Sequence, residues 1–125
     1  LNPIPTRKVP FWIGGMNAAA LRRAAQFGDG WTGAGTSFEE TVSILETLHR
    51  LRREFGRDGE PFDCLIPLTE PLPADKMKRL VDLGMTGTVS WPLAFQMPPG
   101  ATLQQKKDKL RELGETLIAP VNGRR

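Results

Sequence analysis

The feature that most constrains this fold is a short apolar run that ends in two glycines and leads into a helical pattern. The run covers residues 11–13 and is followed by Gly14 and Gly15. Alanine and leucine then recur at helical spacing over residues 18–25, and a second apolar element begins at Trp31. This order predicts a β-α-β unit with a glycine turn at the carboxyl end of its first strand. Parallel α/β proteins bind phosphate groups and cofactors at such turns.

The same alternation of strand and helix continues along the chain. Asn17 is a favourable helix cap, and Ser37 with Glu40 has the spacing of a capping box, as Thr102 has with Gln105. Glycine or proline follows each helical pattern, where these residues end helices. Strands are predicted at residues 11–13, at Trp31, at 62–68 and at 86–91, and helices at 18–27, 38–55, 73–83 and 103–120.

Four strand-helix units of this kind predict an α/β fold with a parallel sheet. Four strands alone leave two open sheet edges, whereas eight close a barrel. The chain has 125 residues, about half of the roughly 250 that are typical of that barrel. We therefore predict half of a (β/α)8 TIM barrel, with a compact open α/β sheet as the alternative. Residues 1–125 form a single domain or half-domain, with a lead-in at 1–8 and a frayed tail at 122–125.

Composition and charge narrow the class of protein. Apolar residues make up 39% and charged residues 25%, which is typical of a globular domain. No segment approaches the roughly 20 apolar residues of a membrane helix, and the net charge of +3 is spread along the chain. We therefore expect neither a membrane nor a nucleic acid as partner. Cys64 is the only cysteine and His49 the only histidine, so we expect no disulfide, no metal site and a reducing cytoplasmic location.

Residues 8–31 carry a resemblance to a known family. The segments Lys8-Val9-Pro10-Phe11-Trp12-Ile13-Gly14-Gly15, Ala20-Leu21-Arg22-Arg23-Ala24-Ala25 and Gly28-Asp29-Gly30-Trp31 resemble luciferase-like monooxygenases. That family includes bacterial luciferase, flavin-dependent monooxygenases and oxidoreductases that use the deazaflavin coenzyme F-420. The resemblance implies a (β/α)8 barrel whose fifth strand ends at Ile13-Gly14-Gly15. It also implies that this chain is the carboxyl-terminal half.

In the family, the loops after this strand and after the next one help to hold the phosphate end of the cofactor. Glycine lets backbone N–H groups approach a phosphate, and a helix N-terminus adds partial positive charge. Each loop is equally explained as an ordinary turn, and the second contains no lysine, unlike some deazaflavin enzymes. The resemblance leaves FMN and F-420 open as cofactors. The implied cofactor-binding residues are Gly14, Gly15, Met16, Asn17, Gly33, Ala34, Gly35 and Thr36.

Catalytic residues are not identified by the sequence, because the catalytic histidines of the family belong to its amino-terminal half. His49 falls within a helical pattern and is expected on a helix surface. Glu70, Ser90 and Trp91 follow predicted strands, where barrel enzymes place catalytic groups, but a plain loop role explains Glu70 more simply. Trp12 and Trp31 are expected in the core.

Two functional hypotheses follow. In the first, the chain is part of a flavin- or deazaflavin-dependent oxidoreductase or monooxygenase and contributes to the cofactor's phosphate-binding end. Its partners are then a flavin-type cofactor, a small organic substrate and the missing amino-terminal half of the barrel, and the isolated chain is inactive. In the alternative, the chain is a non-catalytic binding or assembly module that forms a homodimer through its open sheet edges. A third hypothesis is an unrelated α/β domain that holds another phosphorylated ligand.

Overall fold

The structure, a computed structural model, describes residues 4–89 and 96–123. Its centre is a parallel sheet of three short strands, in the order β1-β2-β3. The helices that the sequence predicts precede β2 and β3, and both strand pairs are parallel, so the parallel α/β arrangement is confirmed. The strands are β1 (Trp12–Gly14), β2 (Gly30–Thr32) and β3 (Asp63–Leu65).

The helices begin where the sequence places their caps. The Asn17 side chain accepts a hydrogen bond from the Ala20 amide, and Ser37 with Glu40 forms the predicted capping box, as Thr102 does with Gln105. These caps are local, so the sequence alone is sufficient to locate them. The helices are α1 (Ala18–Phe27), α2 (Phe38–Glu54), α3 (Ala74–Asp82), α4 (Leu103–Leu113) and α5 (Ala119–Asn122), with a π-helical turn (Gly114–Ile118) joining the last two.

The final helical segment continues beyond the predicted end at Pro120. This proline lies in the first turn of α5, where a helix leaves its N–H groups without partners, so the missing N–H of proline costs little. The π-helical turn before it resets the hydrogen-bond pattern. Leu103 and Leu110 on α4 are exposed, whereas Leu113 and Leu117 are half-buried.

The predicted fourth strand is reduced to one bridge within the described residues. Gly87 pairs in parallel with Leu65. The neighbouring position departs from a regular ladder because the Thr86 hydroxyl, rather than a backbone carbonyl, accepts the hydrogen bond from the Cys64 amide at 2.9 Å. Residues 90–91 of the predicted strand lie outside the described part. The structure therefore supports three strands of the predicted four.

The two faces of the sheet differ in burial. In register, Ile13, Trp31 and Cys64 lie side by side and belong to the core beneath the helices. Side chains alternate between faces along a strand, so Trp12 belongs to the opposite face, where it is 42% exposed. The prediction of a core position is confirmed for Trp31, which is fully buried, and is wrong for Trp12. Within residues 4–89 and 96–123, helices pack on one face of the sheet and leave the other face open.

Candidate functional site

The structure brings the two predicted cofactor segments together. We call residues 14–17 the first glycine loop and residues 33–36 the second glycine loop. The first begins at the last residue of β1 and the second follows β2, so both lie at the same edge of the sheet. The Trp31 indole Nε1–H donates a hydrogen bond of 2.8 Å to the Gly15 carbonyl. A Cβ atom on Gly33 would lie 2.8 Å from Met16 Sδ and 2.5 Å from Trp31 Cη2. The two loops therefore form one continuous surface.

The two glycines of the first loop have different structural roles. Gly15 has φ +114°, a conformation that L-residues rarely adopt, and a Cβ there would lie 2.8 Å from Ala20 Cβ. Gly14 has no positive φ, and its Cβ would meet only the Thr32 carbonyl at 3.7 Å, an ordinary contact. The turn itself requires Gly15. Gly14 leaves open space at the end of the strand, which a ligand can approach closely.

The two helix N-termini at this edge differ in charge. The first turn of α1 contains no acidic residue, and its cap, Asn17, is neutral. The first turn of α2 contains Glu39 and Glu40, and Glu70 Oε1 accepts a hydrogen bond from the Phe38 amide at 3.2 Å. Carboxylates thus surround the N-terminus of α2. An anion meets less repulsion at α1.

The hydroxyl groups of Thr36, at the end of the second glycine loop, and of the neighbouring Ser37 are turned toward the protein. Thr36 is 1% exposed, and its Oγ1 lies 2.9 Å from Thr41 Oγ1. Because the Thr41 hydroxyl donates to the Ser37 carbonyl, Thr36 is the donor of that pair. The Thr36 amide donates to Pro67, and Ser37 Oγ accepts from the Glu40 amide. Thr36 therefore anchors the second glycine loop, and a ligand there meets chiefly the backbone of residues 33–35.

Other sequence candidates lie outside this surface. His49 is exposed on α2, with Nε2 2.7 Å from the Leu83 carbonyl, on a helix surface as predicted. Burial raises the pKa of the Cys64 thiol to about 12, so this thiol is an unreactive core group. Ser90 and Trp91 lie outside the described residues.

Asp29, within the Gly-Asp-Gly-Trp segment, has a structural role. Its carboxylate accepts hydrogen bonds from Lys8 Nζ at 2.6 Å and from the Phe11 amide at 3.0 Å. These contacts lie at the amino-terminal end of β1 and β2, opposite the glycine loops. The hydrogen bond from Lys8, and then that from the Phe11 amide, lower the pKa of Asp29. The carboxylate fastens the lead-in segment to the sheet.

Two features of this region are not predicted by the sequence. Lys76 Nζ lies 4.7 Å from the centre of the Phe38 ring, which brings a cation from α3 to the first turn of α2. A groove of about 580 Å³ runs between Leu72 and the final helical segment, where Leu110 and Leu117 line it. Both depend on the packing of elements far apart in sequence. The spacing of apolar residues within one helix carries no signal for either.

Comparison with known proteins identifies the family. A family model described as luciferase-like monooxygenase matches residues 1–114. The chain belongs to this family. Among luciferase-like relatives, uncharacterised proteins of Mycobacterium bovis and Mycobacterium tuberculosis are 35% identical to it over 123 residues. These alignments cover 97% of this chain and 42% of each relative, so the chain spans less than half of their length.

A solved structure shows the same fold. The coenzyme F-420-dependent tetrahydromethanopterin reductase from Methanopyrus kandleri superposes with a TM-score of 0.59 at 12% sequence identity. The match covers 88% of this luciferase-like chain and 50% of the reductase chain. In the described residues, none of the helices is long and apolar enough to cross a membrane. Those same residues contain no group of three or more His, Cys, Asp or Glu side chains suited to a metal ion.

Proposed function

We propose that this chain is part of a flavin- or deazaflavin-dependent oxidoreductase and that its glycine loops hold the phosphate end of the cofactor. Membership of the luciferase-like family supports the reaction class. The observation that carries the binding role is the joining of residues 14–17 and 33–36 into one surface at the carboxyl edge of the sheet. Enzymes with parallel α/β sheets bind their ligands at that edge.

The residues present fit a phosphate group. The space beside Gly14 and the acid-free first turn of α1 permit an anion to approach backbone N–H groups. Asn17 fixes the start of α1, and Thr36 fixes the end of the second glycine loop. No Lys or Arg belongs to either loop, so the affinity rests on backbone donors and the helix dipole. FMN and F-420 both carry a phosphate, and both remain candidates.

The chemistry is shared between cofactor and protein. When bound, the cofactor supplies hydride transfer or oxygen activation at its ring, acting on a small organic substrate. This chain binds and orients the phosphate tail through its two glycine loops. Glu70, a possible acid or base by its position after β3, instead accepts the hydrogen bond from the Phe38 amide. We therefore expect the chain alone to have little or no turnover.

The open side of the sheet supports a complementary partner. β1 is an edge strand, Phe11 beside it is 68% exposed, and Trp12 is 42% exposed on the face that the helices leave open. We propose that a complementary half-barrel covers this edge and face, as strand closure does in a (β/α)8 barrel. The partial coverage of every relative described above is consistent with this arrangement.

Binding of matched ligands tests the proposal. Amide NMR spectra of the protein are recorded while FMN, riboflavin or F-420 is added. We expect FMN or F-420 to shift the amides of residues 14–17 and 33–35, and riboflavin, which lacks the phosphate, to leave them unchanged. Equal shifts with FMN and riboflavin, or no shifts in either loop with FMN or F-420, would contradict the phosphate role. Steady-state turnover by the chain alone with FMN or reduced F-420 would contradict its dependence on a partner.

The exposed apolar residues at both sides of the molecule favour one alternative, a non-catalytic half-barrel that forms a homodimer. Phe11 lies at the β1 edge and Leu110 on the last long helix. A second copy that covers these surfaces would protect the open edges. Light scattering that gives a dimer, together with no response to FMN, would favour this module. A monomer would contradict it.

A further inference from the structure

The Trp31 side chain contacts both glycine loops, and burial in the core alone would not require either contact. Its side chain is fully buried, and a buried indole N–H needs an acceptor. That acceptor is the Gly15 carbonyl, 2.8 Å away, inside the first glycine loop. The far edge of the ring lies against Gly33 in the second loop, so closely that a Cβ there would overlap Cη2 at 2.5 Å.

The hydrogen bond from Trp31 also sets the direction of a neighbouring donor. The Gly15 carbonyl and the Met16 amide belong to one planar trans peptide unit, so the C=O and N–H bonds point in opposite directions. Because the carbonyl points toward the buried indole, the Met16 N–H points away from it. Met16 is 39% exposed. Its amide is therefore directed to the outer side of the loop, where a ligand approaches.

We propose that Trp31 is a positioning residue that holds the Met16 N–H outward and joins the two glycine loops into one preformed phosphate-binding surface. This inference rests on the proposed function, since the surface matters only if it holds a phosphate. Trp31 touches no ligand. It acts by fixing the peptide plane between Gly15 and Met16, which the side-chain-free Gly15 restrains less than another residue would.

Trp31→Phe removes both links between the loops. Phenylalanine keeps an aromatic ring in the core but has neither the indole N–H nor the Cη2 edge that lies against Gly33. We expect the dissociation constant for FMN to rise by roughly three- to tenfold, the equivalent of one lost hydrogen bond, and the FMN-induced shift of the Met16 amide to shrink. Binding of riboflavin should not change. Ile44→Val is the control, because it also weakens the core but lies on α2, outside the loops.

The outcomes separate the two proposals. If neither FMN nor F-420 shifts either loop in the unsubstituted protein, the phosphate role fails. If FMN shifts both loops but Trp31→Phe binds it as tightly as Ile44→Val does, only the role of Trp31 fails. Equal weakening of FMN and riboflavin by Trp31→Phe would also overturn that role, since a general loss of structure gives this result. Without any ligand, slow hydrogen exchange of the Trp31 indole N–H supports the bond to Gly15, and rapid exchange contradicts it.

Discussion

At the scale of single residues, two adjacent glycines have separate functions. The sequence predicts a glycine turn at residues 14–15, because a glycine pair after an apolar run is a strong local signal. It does not distinguish the two, since their difference lies in φ and in contacts with Ala20 and Thr32 that depend on the folded chain. Gly15 is needed for the turn, whereas Gly14 leaves space for a ligand.

Alanine substitutions test this division. Gly14→Ala should leave the free energy of unfolding unchanged or raise it by about 0.4–1 kcal/mol, because the methyl group fits and the unfolded chain loses entropy. It should nevertheless weaken FMN binding by about tenfold, or ~1.4 kcal/mol, by filling the ligand's approach. Gly15→Ala should cost about 1–3 kcal/mol of stability through backbone strain. Urea denaturation and FMN titration measure both effects; unchanged FMN affinity in Gly14→Ala would argue against a ligand beside this residue.

Asp29 gives a prediction about acid stability. Its pKa in the folded protein is lowered from the ordinary 3.8, first by Lys8 and then by the Phe11 amide. The ionised carboxylate therefore stabilises the fold fully above that ordinary value, and the stabilisation is lost as the pH falls through the lowered pKa. Asp29→Asn should reduce the melting temperature at neutral pH, and the difference should disappear as the pH falls below the lowered pKa of Asp29. Lys8→Gln, which leaves the Phe11 bond, should show a smaller difference; a gap that widens in acid would contradict this account.

At the scale of elements, the sequence predicts features set by neighbouring residues, such as helix caps. It does not predict features that depend on how strands pair. The starts of α1, α2 and α4 follow from their caps, each within three residues of the helix. The extent of the fourth strand cannot be predicted from the sequence, because it depends on how Thr86 pairs with β3. The Thr86 hydroxyl accepts the hydrogen bond from the Cys64 amide that a backbone carbonyl would accept in a regular sheet. The connection between the two glycine loops is likewise invisible in sequence, since Trp31 reaches Gly15 only after β1 and β2 have paired.

The N-terminus of α2 offers a test of such a distant contact. Glu70 accepts a hydrogen bond from the Phe38 amide, which α2 itself leaves without a partner. Glu70→Ala should lower the free energy of unfolding by about 0.5–1 kcal/mol and speed hydrogen exchange of the first α2 amides. Glu46→Ala, which removes an exposed carboxylate farther along α2, is the matched control and should change neither. Equal effects of the two substitutions would show that Glu70 acts only through overall charge.

At the scale of the whole molecule, the described part of the chain covers one face of the sheet with helices and leaves the other face open. Helices α1, α2 and α3 cover the sheet face that contains Trp31, and the core lies between them. The opposite face and the β1 edge keep large apolar side chains exposed. Apolar surface at an unpaired strand edge promotes association. The same open face borders the glycine loops, so a partner that closes the sheet would also enclose the cofactor.

Substitutions of two phenylalanines with nearly equal exposure distinguish binding at the β1 edge from nonspecific hydrophobic association. Phe11, beside β1, is 68% exposed, and Phe27, at the end of α1, is 67% exposed. The probe is the part of a mycobacterial relative that lies outside its alignment with this chain. We expect sedimentation to show a one-to-one complex with that part, with Phe11→Ser weakening it by roughly tenfold or more, as loss of a buried aromatic anchor does. Phe27→Ser should leave it unchanged because α1 packs on the covered face of the sheet, with Trp31, opposite the open face. Equal effects of both substitutions, or no complex with the unsubstituted chain, would place the partner surface elsewhere.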